Sequence, residues 1–174
     1  HEVFYPADPG TVVTNIDLVV IGLGYVGMPL AKEAVASGLR VVGLDVDPAK
    51  VESLNAGRSY IDDLTDADVD AMLAAGFTAT LDQQVLSRAS TIVICVPTPL
   101  DEERRPDLSA VENAARAVGA HLTPGTLVVL ESTTWPGTTD EVVRPILESG
   151  SGLTAGTDFH LAFSPERIDP GNKK

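Results

Sequence analysis

Two apolar patterns alternate along the chain. Runs of consecutive apolar residues, such as Leu18-Val19-Val20-Ile21, are typical of strands covered on both faces in a parallel sheet. Between these runs, apolar residues recur at intervals of three and four, which is helical spacing. The predicted strands cover residues 16–22, 41–44, 78–81, 91–96, 126–130 and 159–163. The predicted helices cover residues 30–38, 48–57, 66–75, 107–121 and 138–149.

Local signals mark the ends of several helices. Gly38 is a C-terminal stop, and Asp47 and Asp107 are suited to cap the helices that follow them. Pro145 removes a backbone hydrogen-bond donor, so we expect a kink in the helix that contains it. Residues 58–76 are predicted to be peripheral, with their acidic side chains on a solvated face.

Strands that alternate with helices predict an α/β fold. The expected architecture is a doubly wound parallel sheet of about six strands, in the order 3-2-1-4-5-6, with helices on both faces. We expect one domain over residues 15–174. Residues 1–14 show no periodicity and contain two prolines and a glycine, so they are predicted to be an arm that precedes the fold.

Composition narrows the class of protein. The 174 residues include 25 acidic and 12 basic side chains, and the net charge of −13 opposes association with nucleic acid or anionic membranes. No apolar run has the length of a membrane span, and no segment resembles a signal peptide. A single cysteine excludes an internal disulfide. We therefore expect a protein of the reducing cytoplasm with no nucleic-acid or membrane partner.

A glycine-rich turn carries the first candidate chemistry. Gly22, Gly24 and Gly27 form a G-x-G-x-x-G pattern that follows a predicted strand and opens a predicted helix. The first glycine permits a tight turn, the second lets the backbone approach a pyrophosphate, and the third allows close helix–strand packing. The pattern predicts a Rossmann dinucleotide site, in which amides at the helix start face the phosphates. The alternative is a strand-to-helix turn without a ligand.

Asp45 indicates which dinucleotide is bound. It ends the second predicted strand, 21 residues after Gly24, where a carboxylate can accept hydrogen bonds from the adenosine ribose. A 2′-phosphate at this place would be repelled, and no arginine follows to offset the charge, so NAD is favoured over NADP. Lys50 is either a contact of the ribose region or a solvated helix lysine.

Three polar loops follow the last three predicted strands. They cover residues 97–99, 131–137 and 164–167, and each combines hydroxyl or charged groups with proline. Ligands of open α/β sheets bind beyond the carboxyl ends of the strands, so a joint role in a binding site is predicted. For any single residue, turn chemistry or helix capping is an equally good explanation.

From about Ile16 to its last residue, the sequence resembles a known family, the UDP-glucose/GDP-mannose dehydrogenases. The resemblance lies in the motifs Val20-Ile21-Gly22-Leu23-Gly24-Tyr25-Val26-Gly27-Met28-Pro29-Leu30, Gly43-Leu44-Asp45, Cys95-Val96-Pro97-Thr98-Pro99-Leu100, Glu131-Ser132-Thr133-Thr134 and Ser164-Pro165-Glu166-Arg167. Further segments around Tyr60, Asp107 and Pro170 look most like enzymes that act on UDP-N-acetylhexosamines.

The resemblance implies an activity and a set of site residues. It implies that NAD twice oxidises the C6 hydroxyl of a UDP-sugar, through an aldehyde and a cysteine thioester, to a uronic acid. Thr133 and Glu166 would be catalytic and would position the water. The substrate-binding residues would be Glu166, Arg167 and Ile168. The cofactor-binding residues would be Gly22, Gly24, Tyr25, Val26, Gly27, Asp45, Lys50, Pro97, Thr98, Ser132 and Thr133.

The chain also lacks part of what the family uses. The nucleophilic cysteine belongs to later segments of the family, as do the UDP-sugar domain and a central helix that mediates homodimerisation. Cys95 is no substitute, because it is predicted to be buried in a strand with no histidine or lysine beside it to lower its pKa. The histidines show no metal-ligand spacing, so no metal is expected. We therefore expect this chain to bind NAD without turnover.

Two other functions remain open. One is the NAD-binding domain of a hydroxyacid dehydrogenase, and the other is a non-catalytic, NAD-responsive binding module. Both would share the turn from Gly22 to Asp45. Neither would require the loop that contains Glu166 and Arg167.

Overall fold

The structure is a computed structural model, which describes residues 15–132, 134 and 137–165. The predicted arm at residues 1–14 lies outside the described residues. Within these residues, six strands form the sheet: β1 (Ile16–Ile21), β2 (Val41–Leu44), β3 (Thr78–Thr80), β4 (Ala89–Ile94), β5 (Leu127–Leu130) and β6 (His160–Phe163). The same part of the chain contains five α-helices: α1 (Gly27–Ala36), α2 (Pro48–Asn55), α3 (Asp66–Ala74), α4 (Ser109–His121) and α5 (Arg144–Ser151).

The sheet confirms the predicted fold class and strand order. Its order is β3-β2-β1-β4-β5-β6, and every neighbouring pair is parallel. In β1, Val19 pairs with Val42 of β2 on one side and with Ile92 of β4 on the other. The chain changes direction across the sheet between β1 and β4, which places the crevice at their carboxyl ends.

The two faces of β1 belong to two separate parts of the core. Val19 and Ile21 pack with residues of α4 and α5, whereas Leu18 and Val20 pack with residues of α1, α2 and α3. Val19 and Val20 have no exposed surface. Burial of each such side chain contributes about 1.5–3 kcal/mol, so helices on both faces stabilise the strand that leads into the glycine-rich turn.

Residues 58–76 are not peripheral, which corrects the prediction. Ile61, Leu64, Val69 and Met72 are buried in the part of the core formed with α1. The prediction failed because this short stretch mixes its apolar residues with acids, which hides the periodicity. The acidic side chains themselves are mostly exposed, as expected.

The helix predicted over residues 138–149 is in fact two elements. A π-helical turn covers Thr139–Val143, and α5 follows directly. Pro145 is the second residue of α5, the helix directly after the π-helical turn, and it has no N–H to donate. Instead of a kink within one helix, the chain changes helix type just before the proline.

Two further local features differ from the prediction. The first residue of α4 is Ser109 and its N-cap is Leu108, so Asp107 lies one position too early to be the cap. Its carboxylate still accepts hydrogen bonds from the hydroxyl and the backbone N–H of Ser109, which lower the pKa of Asp107. The 3-10 helix at Gln83–Arg88 was not predicted, since six residues carry too little periodicity to reveal it.

Candidate functional site

The turn between β1 and α1 has the backbone geometry that its glycines predict. Gly22 has a φ of +92°, and a Cβ there would lie 2.7 Å from the carbonyl oxygen of Cys95 on the neighbouring strand segment. A Cβ on Gly27 would lie 1.8 Å from the carbonyl oxygen of Gly22. Both positions therefore require glycine for close packing of the turn, β4 and α1.

Gly24 differs from its two partners, because protein packing does not explain it. No atom of the described part of the chain lies within 4 Å of the Cβ that another residue would place there. The helix that follows begins at Gly27, and its N-cap residue Val26 makes no side-chain capping hydrogen bond. The turn thus leaves open space beside a helix N-terminus, an arrangement that suits the phosphates of a dinucleotide.

Leu23, between the first two glycines, is held on all sides. Its side chain is fully buried, and a Cβ placed on Gly43 would lie 2.7 Å from the nearest Leu23 methyl carbon. Its N–H donates to Oδ2 of Asp45 at 2.8 Å, and its carbonyl oxygen accepts a hydrogen bond from the Tyr60 hydroxyl at 2.5 Å. The turn is therefore anchored both to the core and to two polar side chains.

Asp45 is buried, and each of its carboxylate oxygens accepts a backbone hydrogen bond. It is 8% exposed, and Oδ1 accepts the N–H of Asp47 at 2.9 Å, while Oδ2 accepts the N–H of Leu23. The ammonium of Lys50 lies 3.8 Å from Oδ2 and 6.0 Å from the centre of the Tyr60 ring. Lys50 thus lies beside Asp45 in the wall of the candidate site. Each carboxylate oxygen keeps one lone pair with which to accept a ribose hydroxyl.

A cleft of about 860 Å³ opens at the carboxyl ends of β1, β2 and β4. Its walls bring together residues from the glycine turn, the end of β2, the loop after β4 and the loop after β5. The predicted cofactor residues among them are Gly22, Gly24, Tyr25, Val26, Asp45, Lys50, Pro97, Thr98 and Ser132. Gly27 lies beneath this wall, at the first residue of α1.

The loops after β4 and β5 are tied together at the cleft. The Ser132 hydroxyl donates to the carbonyl oxygen of Val96 at 2.9 Å, and Ser132 is 4% exposed. Thr133, Glu166, Arg167 and Ile168 lie outside the described residues, so their predicted roles remain predictions. Cys95 is buried, as expected, at the end of β4.

Sequence reasoning missed some of the residues that form the site. Tyr60 was placed in a peripheral segment, although it contacts the glycine turn. Val46, Leu81 and Gln83 also line the cleft, next to Asp45. Val46 is 91% exposed, and Leu81 is 47% exposed. Apolar residues within two positions of the ends of β2 and β3 were the available signal for this part of the cleft.

Comparison with known proteins agrees with this geometry. The model of the UDP-glucose/GDP-mannose dehydrogenase family, NAD binding domain, matches residues 16–174. The chain belongs to this family. The geometry fits the cofactor named in that description, since Gly24 leaves space for phosphates and Asp45 has free acceptor capacity. This chain is thus an NAD-binding domain of the nucleotide-sugar dehydrogenases.

Individual relatives show the same similarity. The chain is 38% identical over 161 residues to the UDP-N-acetyl-D-glucosamine 6-dehydrogenase of Pseudomonas aeruginosa, covering 92% of this chain and 37% of that protein. The solved UDP-D-ManNAc dehydrogenase of Pyrococcus horikoshii superposes with a TM-score of 0.83 at 37% identity, over 90% of this chain and 37% of that one. GDP-mannose dehydrogenase from Pseudomonas aeruginosa gives a TM-score of 0.83 at 31% identity, over 88% and 37%.

Coverage limits what these similarities establish. The chain spans slightly more than a third of the length of these family members. Within the described residues, no helix is long and apolar enough to cross a membrane. The same part of the chain contains no group of three His, Cys, Asp or Glu side chains that could hold a metal ion.

Proposed function

We propose that this domain is the cofactor-binding part of a nucleotide-sugar 6-dehydrogenase. The substrate would be a UDP-sugar, and more narrowly a UDP-N-acetylhexosamine, whose C6 hydroxyl is oxidised to a carboxylate. The family match over residues 16–174, together with the open cleft beside Gly24, is the observation that carries the proposal. The Pseudomonas relative is named a UDP-N-acetyl-D-glucosamine 6-dehydrogenase, and the Pyrococcus relative is named a UDP-D-ManNAc dehydrogenase. Both names give an N-acetylated sugar as the substrate.

The residues of the cleft divide into groups by the part of NAD that they would hold. Gly22, Gly24 and Gly27, with the adjacent Tyr25 and Val26, would face the pyrophosphate. Asp45 would accept hydrogen bonds from the adenosine ribose hydroxyls, with Lys50 balancing its charge. The loop residues Pro97, Thr98, Ser132 and Thr133 would line the nicotinamide half of the cleft. NAD, when bound, would supply the hydride acceptor for alcohol oxidation.

The substrate side of the proposal rests on residues beyond β6. Glu166, Arg167 and Ile168 would contact the sugar nucleotide, and Glu166 with Thr133 would orient water and transfer protons. β6 ends at the same sheet edge as the glycine turn, because all six strands are parallel. The nucleophilic cysteine would come from the part of the family's length that this chain does not span.

The cellular setting forms part of the same proposal. We place the enzyme in the cytoplasm, where its nucleotide cofactor and a reduced cysteine nucleophile are both available. The whole enzyme would be a homodimer. The net charge of −13 supports the absence of a nucleic-acid partner.

A domain graft tests the oxidation chemistry. In the Pseudomonas UDP-N-acetyl-D-glucosamine 6-dehydrogenase, the matching 161-residue segment is replaced by this domain, and NADH formation is followed at saturating NAD. We expect UDP-N-acetylglucosamine to yield two NADH per sugar. A graft that binds NAD yet forms no NADH, while the parent enzyme does, would contradict the proposal.

The same graft tests the proposed catalytic carboxylate. Glu166→Gln is expected to lower kcat by about 100-fold, the usual size of a lost acid–base contribution, with NAD affinity unchanged. Glu52→Gln, on the exposed side of α2, is the matched control and should leave kcat unchanged. Equal kcat values in the two variants would remove Glu166 from the catalytic role.

A further inference from the structure

Leu23 has both of its backbone polar groups bound by side chains from distant parts of the chain. Asp45 accepts its N–H from the end of β2, and the Tyr60 hydroxyl donates to its carbonyl oxygen from the segment between α2 and α3. The second hydrogen bond spans 37 residues and measures 2.5 Å. Leu23 directly precedes Gly24, the position at which the turn is open to the cleft.

Tyr60 is held firmly in the place from which it makes this contact. It is half-buried and packs against the part of the core formed with α1, α2 and α3. The Lys50 ammonium lies 6.0 Å from its ring centre, within reach of a cation–π interaction. Burial raises the pKa of Tyr60 well above its usual value, and the carboxylates of Asp45 and Asp47 raise it further. The hydroxyl therefore stays protonated and remains a donor.

The backbone between Gly22 and Gly24 needs such an anchor. Glycines flank Leu23 on both sides, and glycine restricts the backbone less than any other residue. The Asp45 carboxylate serves two backbone amides already, and it would also serve a ribose. Tyr60 fixes the peptide between Leu23 and Gly24 independently of Asp45, because it binds the carbonyl and not the N–H.

We propose that Tyr60 is a positioning residue for cofactor binding, which holds the peptide between Leu23 and Gly24 in the orientation that receives the pyrophosphate. Tyr60 does not line the cleft, and its hydroxyl acts on the site through the Leu23 carbonyl. This inference rests on the assignment of NAD to the cleft. It adds a residue that determines NAD affinity from a segment outside the β1-α1-β2 unit.

The test compares ligands with and without phosphates. NAD, ADP-ribose and adenosine are titrated into the wild-type chain and Tyr60→Phe, which removes only the hydroxyl and keeps the packed ring. Ser53→Ala is the matched control, since it also removes one hydroxyl-to-carbonyl hydrogen bond, to Arg58, from a neighbouring segment. Thermal melts without ligand establish that all three proteins are folded at the titration temperature.

We expect Tyr60→Phe to raise the Kd for NAD and for ADP-ribose by about threefold to tenfold, the equivalent of one hydrogen bond. The Kd for adenosine should change by less than about twofold, and Ser53→Ala should match the wild type with every ligand. If Tyr60 only stabilised the fold, Tyr60→Phe would lower the melting temperature, and it would not weaken NAD and ADP-ribose more than adenosine.

Other outcomes overturn the inference in distinguishable ways. Equal NAD affinity of folded Tyr60→Phe and wild type removes the positioning role and leaves the NAD assignment intact. An equal loss for adenosine and NAD also removes it, because the effect would then not lie at the phosphates. A folded wild-type chain that binds neither NAD nor ADP-ribose refutes the cofactor assignment itself.

Discussion

Asp45 and Leu23 are joined by a hydrogen bond of 2.8 Å from the Leu23 N–H to the Asp45 carboxylate. It connects the end of β2 with a turn 22 residues earlier in the chain. The aspartate thus has two tasks, because the carboxylate that would bind the ribose also shapes the turn that would bind the phosphates. A change at Asp45 should therefore affect the fold as well as NAD binding.

Asp45→Asn is expected to lower the free energy of unfolding. The two carboxylate oxygens accept the N–H groups of Leu23 and Asp47, and an asparagine would turn its NH₂ group toward one of them. Loss of a buried hydrogen bond to a charged group costs about 1.5–3 kcal/mol. Urea unfolding of the variant and the wild type without ligand measures the difference.

Asp47→Asn serves as the control for this substitution. The Asp47 side chain caps α2 through the N–H of Ala49, and asparagine caps helices equally well. Its free energy of unfolding should stay within about 0.5 kcal/mol of the wild type. If both variants unfold at the wild-type urea concentration, the structural task assigned to Asp45 is wrong.

Gly24 and Gly27 should respond oppositely to the same substitution. Gly24→Ala places a methyl group in open space, so we expect a wild-type melting temperature and NAD binding weakened about tenfold or more. Gly27→Ala places a methyl group 1.8 Å from the Gly22 carbonyl, which should cost about 3 kcal/mol or more of stability. Thermal melts and NAD titrations of both variants check the pair. Gly24→Ala with normal NAD affinity would argue against phosphates at this turn.

Asp68 should make the stability of the chain depend on pH in the acid range. Hydrogen bonds from the Thr65 backbone, Lys32 and the Thr65 hydroxyl lower the pKa of Asp68 from 3.8 to about 2. Because the folded chain holds the carboxylate ionised, this contribution is complete above pH 3.8 and is lost as pH falls toward about 2. The stability difference between wild type and Asp68→Asn should therefore shrink over this range. A difference that stays constant would contradict the assignment.

The crossing of α4 and α5 should not tolerate a larger residue. A Cβ on Gly119 would lie 3.2 Å from the Ile146 carbonyl oxygen and 3.4 Å from the Cα of Gly150. Gly119→Val is expected to lower the free energy of unfolding by about 1–3 kcal/mol through overpacking. Ala120→Val, at the exposed neighbouring position, is the control and should cost less than about 1 kcal/mol for its β-branch. A cost for Gly119→Val no larger than that for Ala120→Val would contradict a steric limit at the crossing.

Much of this structure could be predicted because its determinants are local. The apolar runs around Val19 and Ile92 identify strands covered on both faces, and the glycine spacing identifies the turn between β1 and α1. Asp45 could be assigned because it follows its strand directly. These signals sufficed for the strand order and for placing the glycine turn and Asp45 at the cleft.

The remaining features depend on contacts between distant segments. Tyr60 has polar neighbours in the sequence, and its hydroxyl reaches Leu23 across 37 residues in a segment whose Ile61 and Leu64 are buried in the core. The π-helical turn before Arg144 depends on how the chain enters α5, which no periodicity records. Such features require the tertiary fold and cannot be deduced from spacing.

The most direct test of the account is calorimetric titration of the chain with NAD and with NADP, repeated for Gly24→Val. The account predicts that NAD binds, that NADP binds at least about tenfold more weakly because Asp45 repels a 2′-phosphate, and that Gly24→Val loses NAD while remaining folded. Equal or tighter binding of NADP, or no NAD binding by the folded chain, would contradict it.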